Sequence, residues 1–101
     1  MSHTDDMEAK LYRSAIAARS PRPLYQIAAE IKADWATAKS GVYFGAVPYL
    51  EAMASLVEIT DNYFEDSAAL VVIYFLANAN TWRGETARRV KAELKKMAGI
   101  K

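Results

Sequence analysis

Ten consecutive residues, Ala68 to Ala77, carry no charge and no strong hydrogen-bonding side-chain group except the Tyr74 hydroxyl. A segment that is apolar on all sides has to be surrounded by protein, so the other elements are expected to pack around it. Within it, Leu70-Val-Val-Ile-Tyr-Phe-Leu76 is rich in β-branched and aromatic residues, a composition that also suits a short buried strand. Two features favour a helix. Alanines flank the run (Ala68, Ala69, Ala77 and Ala79), and Asp66 or Ser67 stands at the N-cap position, with Glu65 and Asp66 near the positive end of a helix dipole. A strand would need a partner, and no other segment alternates with period two over a useful length. The prediction is a nearly all-buried helix from Ser67 to about Asn78, roughly 18 Å long at 1.5 Å per residue.

The remaining segments supply the covering elements. Met7, Leu11, Ala15 and Ala18 fall on one face of a helix over residues 5–19, with Tyr12 and Ile16 widening it. Ser20-Pro-Arg-Pro23 breaks the chain, and a second helix opens at Pro21 or Pro23 with the apolar set Leu24, Ile27, Ala28, Ile31, Trp35 and Ala38. After the loop Ser40–Gly45, Pro48 fits the first turn of a third helix running to Glu58, its inner face being Leu50, Met53, Ala54 and Val57. Thr60-Asp-Asn-Tyr63 is turn chemistry. A last helix follows Asn80–Gly84, with Ala87, Val90, Leu94 and Met97 on its inner stripe and Gly99 placed to end it. The fold class expected is therefore all-α: a compact bundle of about five helices around a buried central helix. Residues 1–4 read as a disordered leader and residues 5–101 as a single helical domain, which the length of 101 residues supports.

Composition narrows the chemistry. The absence of cysteine excludes disulfides and thiolate metal sites and suits a reducing compartment. No run approaches the roughly 20 apolar residues that span a bilayer, and the acidic N-terminus is unlike a signal peptide. A cytoplasmic protein without a membrane partner is expected. His3 is the only histidine, so no zinc site can be assembled from His and Cys. Asp61, Asn62, Glu65 and Asp66 lack calcium-loop spacing. The carboxylate pairs Glu30/Asp34 and Glu51/Glu58 lack any sign of the burial that separates catalytic pKa values, and the Gly-x-x-x-x-Gly-Lys phosphate loop is missing. No catalytic residue, metal or cofactor is expected, and the chain does not read as an enzyme.

Two surfaces remain as candidates. Tyr43, Phe44 and Tyr49 lie at one loop, Tyr63 and Phe64 at a second, and Trp82 with Arg83 at a third. Tyr, Trp and Arg anchor protein interfaces, so Tyr43, Phe44, Tyr49, Tyr63, Trp82 and Arg83 form the candidate interaction surface for another protein or for a second copy in a homodimer. The alternative is that these rings only close the ends of the bundle. Charge supplies the second candidate. From Arg83 onward there are seven basic residues against two acidic ones, in a chain of net charge +1. Arg88, Arg89, Lys91, Lys95 and Lys96 are the candidate polyanion contacts, and weak, non-specific nucleic-acid binding is the most expected of them. Cations near a helix C-terminus are also favourable in their own right, so a basic helix lying against an acidic neighbour explains the same pattern.

The runs Val42-Tyr-Phe-Gly-Ala-Val-Pro-Tyr-Leu-Glu-Ala-Met53, Tyr74-Phe-Leu-Ala-Asn-Ala79 and Thr81-Trp-Arg-Gly-Glu-Thr-Ala-Arg-Arg-Val-Lys91 resemble small uncharacterised proteins of bacterial prophages and integrative elements. The resemblance implies a bacterial, mobile-element setting and a cytoplasmic accessory role. It carries over no catalytic residue. The combined expectation is a non-catalytic protein–protein interaction module, with a nucleic-acid-binding accessory protein as the alternative.

Overall fold

The computed structural model describes residues 22–100. The expected leader and the helix expected over residues 5–19 lie outside them. Pro23, at φ −58° and ψ 142°, opens helix α1 (Leu24–Trp35) but brings no capping side chain. Its first amides are satisfied from elsewhere in the chain. Leu24 N donates to Val57 O and Tyr25 N to Leu56 O, each at 2.9 Å, which meets the demand that helix ends make on their surroundings.

The next helix is shorter than expected. A 3-10 turn, Phe44–Ala46, leads into α2 (Val47–Met53), which stops well before the expected Glu58. Ser55 N and Leu56 N turn to Ala52 O and Met53 O, and the Leu56 and Val57 carbonyls are left to α1. Leu50 and Met53 are buried as expected, but Ala54 and Val57 are exposed and Leu56 takes the core position. Ala38, past the end of α1, is exposed as well.

Asp61 organises the next turn: its Oδ2 accepts from Val57 N at 3.2 Å and Glu58 N at 2.9 Å, and its carbonyl accepts from Ala68 N at 2.8 Å. Between those contacts lies an antiparallel hairpin, β1 (Asn62–Tyr63) and β2 (Asp66–Ser67), paired Asn62 to Ser67 and Tyr63 to Asp66. No strand was expected, because strands of two residues are too short to alternate visibly. Helix α3 (Ala68–Ala77) follows at once, with Ser67 Oγ accepting from Leu70 N at 3.1 Å as its N-cap. Asn78 ends it. Helix α4 (Glu85–Met97) closes on Gly99 at φ 76°, with Ile100 N bonded to Lys95 O and Gly99 N to Lys96 O, the paired bonds of a Schellman ending.

The four described α-helices form a closed ring rather than a cage: α1 packs on α2, α2 on α3, α3 on α4, and α4 back on α1. This corrects the picture of a central helix buried all round. α3 is helical as predicted, and Ala68, Val71, Val72 and Phe75 are buried. Ile73, at 39% exposure, and Tyr74, at 43%, face outward, on the side of α3 away from the buried Val71, Val72 and Phe75. The core is centred on three rings. Trp35 stacks on Trp82 with centroids 5.8 Å apart and an 18° interplanar angle, and Phe75 meets both edge-on at 6.2 and 6.4 Å. The described part of the chain is mostly helical, and no described helix is long and apolar enough to cross a membrane.

Candidate interaction surface

The structure divides the expected aromatic surface. Tyr43 and Phe44 stand together, ring centroids 4.9 Å apart, and Phe44 is 79% exposed. Tyr49 is half-buried and lies 5.6 Å from Tyr74 on α3. Gly45 and Asn78 join the two pairs. A Cβ at Gly45 would come within 2.5 Å of Tyr43 Cε2 and 3.0 Å of Asn78 Oδ1, so the missing side chain is what lets the Tyr43 ring and Asn78 approach each other. Asn78 Nδ2 in turn donates to Tyr74 O at 2.9 Å. The pairs Tyr43–Phe44 and Tyr49–Tyr74 thus lie on either side of Gly45 and Asn78, an aromatic face spread across the 3-10 turn, α2 and the end of α3. Beside it opens a depression of about 230 Å³ lined by Tyr43, Ala77, Asn78, Asn80 and Thr81.

Tyr74 and Asn78 were not among the expected surface residues. They lie in and just after the apolar run, and only the ring packing turns that helix face outward.

Three expected residues fall elsewhere. Trp82 is a correction: at 1% exposure it belongs to the core, and its Nε1 donates to Asp34 Oδ2 at 2.8 Å. A Trp whose N–H finds a buried-side partner packs as a core residue. Tyr63 is half-buried against the core and meets Phe64 edge-on at the hairpin, 4.8 Å away. Arg83 is exposed on the α3–α4 connection, next to Trp82 in sequence.

The basic residues of α4 divide by helix side. Arg89 pairs with Glu30 on α1. Arg22 pairs with Glu93 through Nε at 3.0 Å and Nη2 at 2.6 Å, and its Nη1 lies 2.9 Å from Glu30 Oε1. That last contact is ionic without hydrogen-bonding alignment, since Glu30 Oε1 has no hydrogen-bond partner. The result is an alternating chain Arg89–Glu30–Arg22–Glu93 that ties α4 to α1. It raises the Arg22 guanidinium pKa, chiefly through the Glu93 bond, and holds the Glu30 carboxyl below its ordinary range, chiefly through the Arg89 bond. Glu85, which helical spacing would let pair with Arg88 or Arg89, makes no ion pair among the described residues.

Lys91 is also occupied. Its Nζ donates to Ala79 O and Trp82 O at 2.7 Å each and lies 5.8 Å from the Trp82 ring. Burial pushes its ammonium pKa down, and repulsion from Lys95 and Arg83 lowers it further. Arg89 and Lys91 thus have partners within the chain, as a basic helix lying against an acidic neighbour would give them, although Arg89 stays exposed. Arg88, Lys95 and Lys96 are exposed and make no ion pair among the described residues.

No protein-family model, curated protein or solved structure matches the chain.

Proposed function

We propose that this protein is a non-catalytic protein–protein interaction module that works through its aromatic face. The carrying observation is the gathering of the pairs Tyr43–Phe44 and Tyr49–Tyr74 about Gly45 and Asn78. Solvent gains nothing from such a set, and rigid aromatic rings around a depression are the residues that carry most of the energy of protein interfaces. A cytoplasmic accessory role in a bacterial mobile element accords with this reading. The test is chemical cross-linking in a cell extract treated with nuclease, comparing the wild-type chain with Tyr43→Ala/Tyr74→Ala. A nuclease-resistant protein adduct lost in the double variant is expected. An adduct pattern identical in both would reject the face as the binding surface.

One observation favours a second reading, nucleic-acid binding: Arg88, Lys95 and Lys96 are exposed without ion-pair partners among the described residues. Three cations support at most weak contacts to phosphate, whose affinity collapses between about 50 and 200 mM salt. Submicromolar binding to random duplex DNA that survives the higher salt, and is lost in Arg88→Ala/Lys95→Ala/Lys96→Ala, would put this reading first.

A further inference from the structure

The outer side of the α1–α2 pair keeps more apolar surface than the two helices cover. Leu24 N and Tyr25 N bond to Val57 O and Leu56 O, and Lys32 lies with Val47 and Leu50, so α1 and α2 run antiparallel. Tyr25 and Val57 are each 50% exposed at one end of this side, and Val47 is 37% exposed at the other. Ala29 on α1 and Ala54 just after α2 are exposed as well. Beside Val47 opens a hollow of about 190 Å³, lined by Lys32, Val42, Val47, Leu50 and Glu51, with an almost wholly apolar wall. Tyr25, Ala29 and Lys32, spaced four and three apart, form the edge that α1 gives to this face.

The chain holds a segment that matches it. Tyr25, Ala29 and Lys32 advance from the break at Ser20-Pro-Arg-Pro23 in steps of four and three, while Ala18, Ala15 and Leu11 recede from it in steps of three and four. Both series span seven residues, about 10 Å of helix. A helix laid back along α1 therefore sets Ala18 at Tyr25, Ala15 at Ala29, and Leu11 at Lys32, over the hollow. The small pair in the middle permits the close approach of packed helices, about 8–10 Å between axes. A four-residue break falls within the roughly 2–8 residues that join antiparallel helices. Arg22, held by Glu93 and Glu30, pins the point where the segment leaves the fold, one turn or less from Tyr25. Charge fits too. Lys32 and Glu51 border the hollow with one charge of each sign, and residues 5–19 carry the acids Asp5, Asp6 and Glu8 against the bases Lys10, Arg13 and Arg19. A face so balanced draws neither nucleic acid nor an anionic membrane. A tether this short gives the segment an effective concentration on the order of millimolar, which favours its own chain over a second copy.

We propose that residues 5–19 dock in cis as a helix antiparallel to α1, covering the α1–α2 face with Leu11 seated in the hollow. This site is distinct from the interaction-module reading, whose Tyr49 and Tyr74 meet between α2 and α3.

Hydrogen exchange and disulfide trapping of the full chain, which has no cysteine of its own, test the docking. In the wild type the amides of residues 11–18 should exchange at least about tenfold more slowly than an unstructured chain, the effect of burying one Leu side chain. Leu11→Asp should return them to the unstructured rate while the amides of α1 and α4 keep their protection. Val47→Asp should do the same from the other side of the contact, since the first residue of α2 suits an acid. Ala15→Cys/Ala29→Cys should form a disulfide within one chain, the Cα atoms of that pair falling within the roughly 4.4–6.8 Å that a disulfide spans. Ala15→Cys/Ile73→Cys, with its second cysteine on the exposed side of α3, should not. Residues 11–18 exchanging at the unstructured rate in the wild type, protection unchanged in both aspartate variants, or equal disulfide yields from the two cysteine pairs overturns the proposal. A disulfide joining two chains, at twice the 11.2 kDa of one, assigns the face to a second copy and overturns docking in cis as well.

Discussion

At Phe64 the backbone and the side chain have opposite requirements. The left-handed φ suits a residue that tolerates it, and the aromatic ring has almost nothing to pack against. Asn adopts that conformation more readily, and unlike Gly it does not loosen the unfolded chain as much. Phe64→Asn is therefore expected to raise the unfolding free energy by about 0.5–1 kcal/mol, measured by denaturant titration under conditions where the chain is monomeric. A loss of stability would mean that the ring packs more than its exposure indicates. Trp82 is the converse. Its adjacency to Arg83 reads as an interface anchor, yet the ring is stacked on Trp35 and its N–H is taken by Asp34, 48 residues earlier in the chain. Nothing local in Asn80-Thr-Trp-Arg-Gly84 signals a partner that distant.

Between elements, the strongest electrostatic tie is the alternating chain Arg89–Glu30–Arg22–Glu93 that joins α1 to α4. Glu30 is held below its ordinary value of 4.5 in the folded protein, so as the pH falls the unfolded state takes up the proton first. The stability linked to this group is complete above about 4.5 and is lost as the pH drops through the lower folded value. Denaturant melts of wild type and Glu30→Gln from neutral to acid pH should converge in that window, the wild type being the more stable above it. Parallel curves would place the pH dependence on other carboxylates. The positions of α1, α3 and α4 were legible because each carries a long, regular pattern: Leu24, Ile27, Ala28, Ile31 and Trp35 in α1, and Ala87, Val90 and Leu94 in α4, are all buried. The early end of α2 was not legible, because the partners of the Leu56 and Val57 carbonyls are the first amides of α1, more than 30 residues earlier in the chain. Nor was the aromatic face. An apolar run such as Leu70–Leu76 says how much surface wants cover, and the number of neighbours that arrive to cover it is a property of the ring.

Across the whole molecule, three of the four helix contacts in the ring join consecutive helices, and only the α1–α4 contact closes it. Its ion pair, Arg22 with Glu93, spans 71 residues of sequence. A contact of that separation has to wait until the loop between its ends has been closed, and loop closure is unfavourable until other contacts have formed. The expected order is that α1, α2 and α3 dock on their neighbours early, and that α4 clasps α1 after the rate-limiting step. Stopped-flow folding of Glu93→Gln reads this directly. Refolding should proceed at the wild-type rate, while unfolding accelerates about fivefold for a loss of about 1 kcal/mol, the size expected of a partly exposed ion pair. A slower refolding limb would put the clasp inside the folding nucleus. The pair therefore acts as a latch in time: it has little to do with how quickly the protein folds, and it lengthens how long the ring, once closed, stays closed.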